Sequence, residues 1–141
     1  MKRRASAEWQ GDLKTGKGLV STDSGVLRSS PYSFSTRFEE EKGTNPEELI
    51  AAAHAGCFTM ALSGELGKAS LVPESLRTTA TVTMEKVEAG WTVIGSHLEV
   101  SGKVPNATAE TFRAAAQAAE KGCPISRLLN AKITMEAKLE G

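Results

Sequence analysis

The sequence predicts one α+β domain. Three observations carry this. The first forty residues show strand-like alternation, a single long apolar helix runs from about Pro46 to about Lys68, and two strands, a helix and a last strand follow it. The order β-β-β-α-β-β-α-β lacks the regular βα alternation of a parallel-sheet protein.

Each element has its own signal. Ala5, Ala7 and Trp9 alternate with Ser6 and Glu8, and a second strand spans Gly16–Thr22 after a GD-type turn. Tyr32, Phe34, Thr36 and Phe38 then fall on one face of a predicted third strand, with Arg37 on the other face. Glu39–Glu41 and Lys42-Gly43 form a loop. Thr44 or Asn45 can cap the central helix, Pro46 suits its first position, and Glu47 and Glu48 favour the positive end of its dipole. Leu76, Thr78, Ala80, Val82 and Met84 alternate in the next strand. Gly90 turns the chain, and the strand Trp91–Val104 contains Gly95 and Gly102, which suggests a bulge or bend. A helix over about Ala107–Lys121 buries Phe112, Ala115, Ala116 and Ala119, and Gly122 ends it. Pro124 opens a short helix over Ile125–Asn130. The last strand carries Ile133, Met135, Ala137 and Leu139 on one face.

Composition excludes several classes. The 141 residues are 40 % apolar, enough for one core, and 17 basic residues balance 17 acidic ones. A nucleic-acid binder would want a basic surplus. Scarce aromatics and plentiful alanine and threonine imply close helix contacts and β-branched strands. The basic start MKRRASAEWQ is not followed by an apolar signal segment. The longest apolar run, residues 49–62, is shorter than a membrane span needs. The expected compartment is the cytosol, where a cysteine pair is more often catalytic or metal-binding than a permanent disulfide. The middle of the central helix offers water no polar face, and one small sheet can cover only one side. A second copy of the chain is therefore expected on the other, in an obligate dimer with the Cys57 helices inside.

Only two cysteines exist. Cys57 lies about three turns inside the central helix, and Cys123 follows 66 residues later in KGCPIS. A buried thiol with one distant partner is either inert core or half of a two-cysteine redox centre. A thiol in an apolar site has a raised pKa, so catalysis needs a nearby cation. Arg37 is the best candidate, because arginine stays charged where lysine could lose its proton, and Glu47 could pair with it. Glu47 and Cys57 stand about 15 Å apart along one helix. An arginine serving both is expected to take one of them from a partner subunit. The plain readings are a core cysteine, ordinary first-turn acids, a solvated Arg37 and a Cys123 that merely precedes a helix-breaking proline. His54 could pair with Cys57 or bind metal, and is more often a core residue with satisfied nitrogens. A zinc site wants four ligands, and the spacing of His54, Cys57, His97 and Cys123 matches no finger or ribbon pattern.

At TRFEEEKGTNPEELIAAAHAGCFTMAL, residues 36–62, the chain resembles the OsmC/Ohr family of organic hydroperoxide reductases. The likeness continues in EKGCPISRLL at 120–129, AEWQGDLKTGKG, VSTDSGVL and AKITMEAKL. The TRFEEEKG stretch is more similar to the OsmC branch than to the Ohr branch. The resemblance spans residues 1–141 as a single OsmC-like domain. It implies an intertwined α+β homodimer, with two central helices enclosed by antiparallel sheets and both chains contributing to each active site. It implies that Cys57 is the peroxidatic cysteine and Cys123 the resolving one. Arg37 would activate the thiolate and orient the peroxide, and Glu47 would pair with Arg37. The implied reaction is antioxidant and cofactor-free. Cys57 reduces an alkyl hydroperoxide to an alcohol, and hydrogen peroxide less well. Its sulfenic acid then condenses with Cys123, and a lipoyl-type dithiol reduces the disulfide. Apolar neighbours such as Phe58, Met60 and Leu62 would favour substrates with a hydrocarbon tail. Two rival functions lack this support. A protein thiol–disulfide oxidoreductase would want a C-x-x-C motif. An apolar-ligand or metal-binding domain would tolerate lysine at position 37.

Overall fold

The computed structural model describes residues 1–141, which divide into two compact units, Met1–Leu49 and Ile50–Gly141. In the first, β1 (Ala5–Gln10), β2 (Lys17–Thr22) and β3 (Ser30–Tyr32) form an antiparallel meander. The β1–β2 turn is held by Asp12, whose carboxylate accepts from the N–H groups of Lys14 (2.9 Å) and Thr15 (2.8 Å) and from the Thr15 hydroxyl (2.6 Å). These bonds hold the Asp12 carboxyl below its ordinary pKa, the Thr15 hydroxyl contributing most. Trp9 and Tyr32 pack at 5.6 Å, and a Cβ on Gly18 would collide with both rings. Only glycine lets the β2 backbone pass there.

The predicted third strand stops at Tyr32, and Phe34–Phe38 is a short helix, α1. Ser33 and Thr36 form a reciprocal capping box, with Thr36 N donating to Ser33 Oγ (3.2 Å) and Ser33 N to Thr36 Oγ1 (2.8 Å). The alternating aromatics misled because residues 34 and 38 satisfy a period of two and are also i,i+4 neighbours on a helix. Their rings pack at 4.8 Å. Arg37 therefore does not point away from the aromatic face: its guanidinium lies 5.4 Å from the Phe38 ring centre.

The central helix, α2, spans Pro46–Lys68 as predicted. Asn45, not Thr44, caps it: its side-chain oxygen accepts from Glu48 N at 2.8 Å, and its amide donates to the Thr36 carbonyl at 2.9 Å. By length and composition α2 passes for a membrane span, a test that the core helix of a globular protein also passes. His54, Phe58, Leu62 and Leu66 fall on one face and are buried in the protein instead.

In the second unit, β4 (Ser75–Val87) and β5 (Gly90–Lys103) form a long hairpin, and β6 (Lys132–Leu139) lies on the far side of β5. The β4–β5 pairing is antiparallel, but β6 runs parallel to β5, so this sheet is mixed rather than antiparallel. The hairpin register shifts where Thr83 faces Gly95 and Met84 faces Val93, leaving Ile94 as the bulged residue. No shift occurs at Gly102. The parallel return needs a crossover, which α3 (Ala109–Gly122) and α4 (Pro124–Leu128) supply. Helix α3 begins at Ala109 behind the Thr108 cap, two residues later than Ala107, and α4 begins one residue earlier than predicted and ends at Leu128. Gly122 is the last helical residue, not the terminator. Cys123 breaks the helix because a residue before proline is pushed out of the α region, and its φ of −57° and ψ of 122° show this.

Phe58, Leu62 and Leu66 share a core with Leu98, Val100, Val104, Phe112, Ala115, Ala116, Ala119 and Cys123. Gly102 is buried in it. A Cβ there would stand 2.7 Å from Leu76 and 2.9 Å from the Phe112 ring. Gly102→Ala is expected to destabilise the fold by about 1–3 kcal/mol through overpacking, read by urea unfolding at fixed protein concentration. An unchanged midpoint would mean that the Phe112 ring can retreat.

Candidate active site

Two chemical clusters emerge, one in each unit. In the first, Arg37 at the end of α1 grips Glu47 in the first turn of α2. Arg37 Nε donates to Glu47 Oε1 (3.2 Å) and Oε2 (3.1 Å), and Arg37 Nη2 donates to Oε1 at 2.6 Å. The fork-on-carboxylate geometry fixes the guanidinium plane, which a lysine ammonium cannot do. Glu47 is the more buried partner, with 14 % of its side chain exposed against 37 % for Arg37. Beside them Trp9, Leu13, Tyr32, Phe34, Phe38 and Pro46 line an apolar cavity of about 290 Å³ that Arg37 also borders.

In the second unit, Cys57 from α2 packs against the core cluster that contains Cys123, from the α3–α4 break, and both thiols are free. Cys57 is partly exposed and Cys123 fully buried. Burial pushes the Cys57 thiol up, and the neighbouring Cys123 pushes it further the same way. Burial also acts to raise Cys123. The neighbouring Cys57 thiol and the polar groups of Ser126 and Ile125 outweigh it, and the Cys123 thiol is lowered. Within this unit Cys57 is thus the harder thiol to ionise, so an ionised Cys57 requires a cation from outside the pair.

The structure brings together Cys57 with Cys123 and Arg37 with Glu47. The expected apolar surround of Phe58, Met60 and Leu62 does not form: Phe58 and Leu62 turn into the core, and Met60 is 79 % exposed on the opposite face. His54 meets neither cysteine directly. It is fully buried, with Nδ1 2.7 Å from Ser96 Oγ and Nε2 2.7 Å from Ser126 Oγ, and burial lowers its pKa and keeps it neutral. The satisfied-core reading of His54 therefore holds. Sequence reasoning missed Ser126, whose only signal was its place in the first turn after Cys123-Pro124. His97 is remote in character from the cysteines: its Nδ1 pairs with the Thr134 hydroxyl at 2.6 Å, beside the exposed Glu99 and Glu136.

Residues 39–138 match the family model for OsmC-like protein. The chain is 52 % identical over 138 residues to peroxiredoxin OsmC of Escherichia coli K12, covering 98 % of this chain and 96 % of that protein. It is 29 % identical over 124 residues to the organic hydroperoxide resistance protein OhrB of Bacillus subtilis, covering 87 % and 89 % of the two chains. Its fold matches the crystal structure of that OhrB with a TM-score of 0.72 at 24 % identity, over 97 % of this chain and 98 % of the other. A helix-borne cysteine packed against the core that holds a second one, an arginine forked onto a first-turn glutamate, and these likenesses over nearly the whole length lead to one conclusion: the chain belongs to the OsmC-like protein family.

Proposed function

We propose that the chain is a cysteine-based peroxidase that reduces organic hydroperoxides to alcohols with electrons from a thiol reductant. The packing of Cys57 against the core that holds Cys123 carries this reading, since it brings two free thiols into one cluster across 66 residues of sequence. Cys57, the more accessible sulfur, attacks the terminal peroxide oxygen. The O–O bond breaks, the alkoxide takes a proton and leaves as alcohol, and Cys57 becomes a sulfenic acid. Cys123 sulfur then displaces hydroxide, which departs as water with the Cys123 proton. The resulting disulfide is reduced by exchange with a dithiol. A compact, lipoyl-type dithiol suits a sulfur that is only partly exposed. Sulfur chemistry alone completes the cycle, in the cytosol.

Cys57 needs a cation, and Arg37 is the one assigned here. Arg37 is spent on Glu47 of its own chain, and the uninterrupted α2 helix puts about 15 Å between Glu47 and Cys57. Arg37 therefore serves the partner subunit's Cys57, in a homodimer whose 141-residue chains each form one domain. The exposed α2 face supports this dimer. Ala52, Ala53, Gly56, Ser63, Gly64 and Gly67 lie along it, and nothing stands within 4 Å of a Cβ placed on its three glycines. Small residues let two helices approach closely. The apolar cavity beside Arg37 would take the hydrocarbon tail, which disfavours hydrogen peroxide by comparison.

Wild type is expected to consume cumene hydroperoxide with dihydrolipoamide as reductant, and Cys57→Ser to lose turnover altogether; a fully reduced wild type without turnover sinks the reading. Arg37→Lys is expected to fold and to lose about a hundredfold in kcat/KM, the scale of one removed charge-stabilising contact. Cys123→Ser should reduce about one equivalent of peroxide per chain and then accumulate sulfinic acid by mass spectrometry. Mixed dimers separate the two site arrangements. Cys57→Ser co-refolded with Arg37→Lys recovers activity if the arginine acts across the subunits, and recovers none if each site is built from one chain.

A further inference from the structure

The side-chain amide of Asn45 ties together the two backbone segments that carry Arg37 and Glu47. Its Nδ2 donates to the Thr36 carbonyl at 2.9 Å, and its Oδ1 accepts from Glu48 N at 2.8 Å. A carbonyl only accepts and an N–H only donates, so the amide fits one way round. Aspartate would offer no donor, and serine offers one oxygen where two separated atoms are needed.

Each partner belongs to a peptide plane that holds one member of the ion pair. A planar peptide fixes the Cα atoms on both of its sides. The Thr36 carbonyl lies in the plane that holds the Cα of Arg37, and the Arg37 N–H of that plane donates to the Ser33 carbonyl at 3.2 Å. The Glu48 N–H lies in the plane that holds the Cα of Glu47. One side chain therefore sets where both charged residues leave the backbone.

Helix α1 needs this support. Its five residues are too few to be stable alone. The Ser33–Thr36 box secures its start, but the last carbonyls of a helix lack intrahelical partners. Asn45 takes one of them, on Thr36, which is 7 % exposed. The loop before Asn45 runs tightly against the same place. A Cβ on Gly43 would stand 2.7 Å from Thr36 Cγ2 and 3.0 Å from the Pro31 carbonyl oxygen. Thr44 N donates to that oxygen at 3.2 Å.

Resting on the peroxidase reading above, we propose that Asn45 is a positioning residue that aims the Arg37 guanidinium, acting through the backbone of α1 and not on peroxide or sulfur. Glu47 fixes the plane of the guanidinium, and Asn45 fixes the point from which the arginine reaches it.

Asn45→Ser and Asn45→Asp both keep the helix cap and both lack the amide donor, so either folded variant decides the question. The nitrogen-15 spectrum reads Arg37 directly. Its Nε–H is bonded to Glu47 in wild type. It is expected to exchange with solvent about tenfold faster in the variants, as the loss of one supporting hydrogen bond implies. The second-order rate at which cumene hydroperoxide turns Cys57 into dimedone-trapped sulfenic acid is expected to fall about tenfold, the effect of a misaimed group. In an Arg37→Lys background Asn45→Ser costs nothing further, because the residue it positions is gone. A purely structural role would cost the same in both backgrounds, and that result overturns the proposal. Wild-type exchange of Arg37 Nε–H in a folded variant overturns it as well, whatever the rate does. A wild type that forms no sulfenic acid rejects the peroxidase reading alone, and the exchange of Arg37 then decides the positioning role by itself.

Discussion

Burial of the Cys57 thiol is the constraint on which the rest of the structure depends. Cys57 is only partly exposed, and a sulfur drawn even partly out of water holds its proton and is then a poor nucleophile. Any catalytic use of Cys57 needs a fixed positive charge that desolvation cannot neutralise, and arginine meets that condition. An arginine held near apolar side chains needs a carboxylate in turn. Glu47 provides it from the first turn of the same helix, where the helix dipole already favours a negative group. The same burial explains why neither charge sits next to the thiol in sequence. A carboxylate one turn from Cys57 would oppose its ionisation, whereas one about three turns away leaves it alone.

The second thiol reaches the first through a topological detour. Because β6 pairs parallel to β5, the chain must cross the sheet after β5 and return. The crossover consists of α3 and α4, and the break between them falls on Cys123 because Pro124 follows it. One residue therefore closes α3, its N–H bonding the Ala119 carbonyl at 2.8 Å, and opens α4. In that position it stands at the start of α4, where Ile125 and Ser126 favour its ionisation. The features that favour the Cys123 thiolate thus come from a helix break that the parallel strand makes necessary.

Much of this was legible in the residues. The bounds of α2, the inward rows of β4 and β6, and the four buried residues of α3 follow from periodicity, because one face of each element is committed to a core. The pairing of Arg37 with Glu47 could be reasoned from charge and helix position. What was hidden has physical causes. The Tyr32–Phe38 pattern fits both periods, and the Ser33–Thr36 capping box decided for helix through hydrogen bonds that alternation does not register. Strand direction in β6 leaves no local trace, since its inward row reads the same either way. Ser126 was invisible because its importance comes from His54, 72 residues away in the chain.

The two faces of α2 show how one helix can meet opposed demands. His54, Phe58, Leu62 and Leu66 are large and recur every four residues, which commits that face to its own chain's core. The other face carries small residues with open space around its glycines. Three glycines within a helix are a local cost of roughly 1 kcal/mol each relative to alanine, so the sequence gives up helix stability along that face. Tertiary packing within the subunit does not recover the loss, because those glycines touch nothing there. A close contact with a second copy would offset it, and would also shield the exposed Met60. In the proposed enzyme the same contact brings an arginine to each buried sulfur, so assembly and thiol activation become a single event.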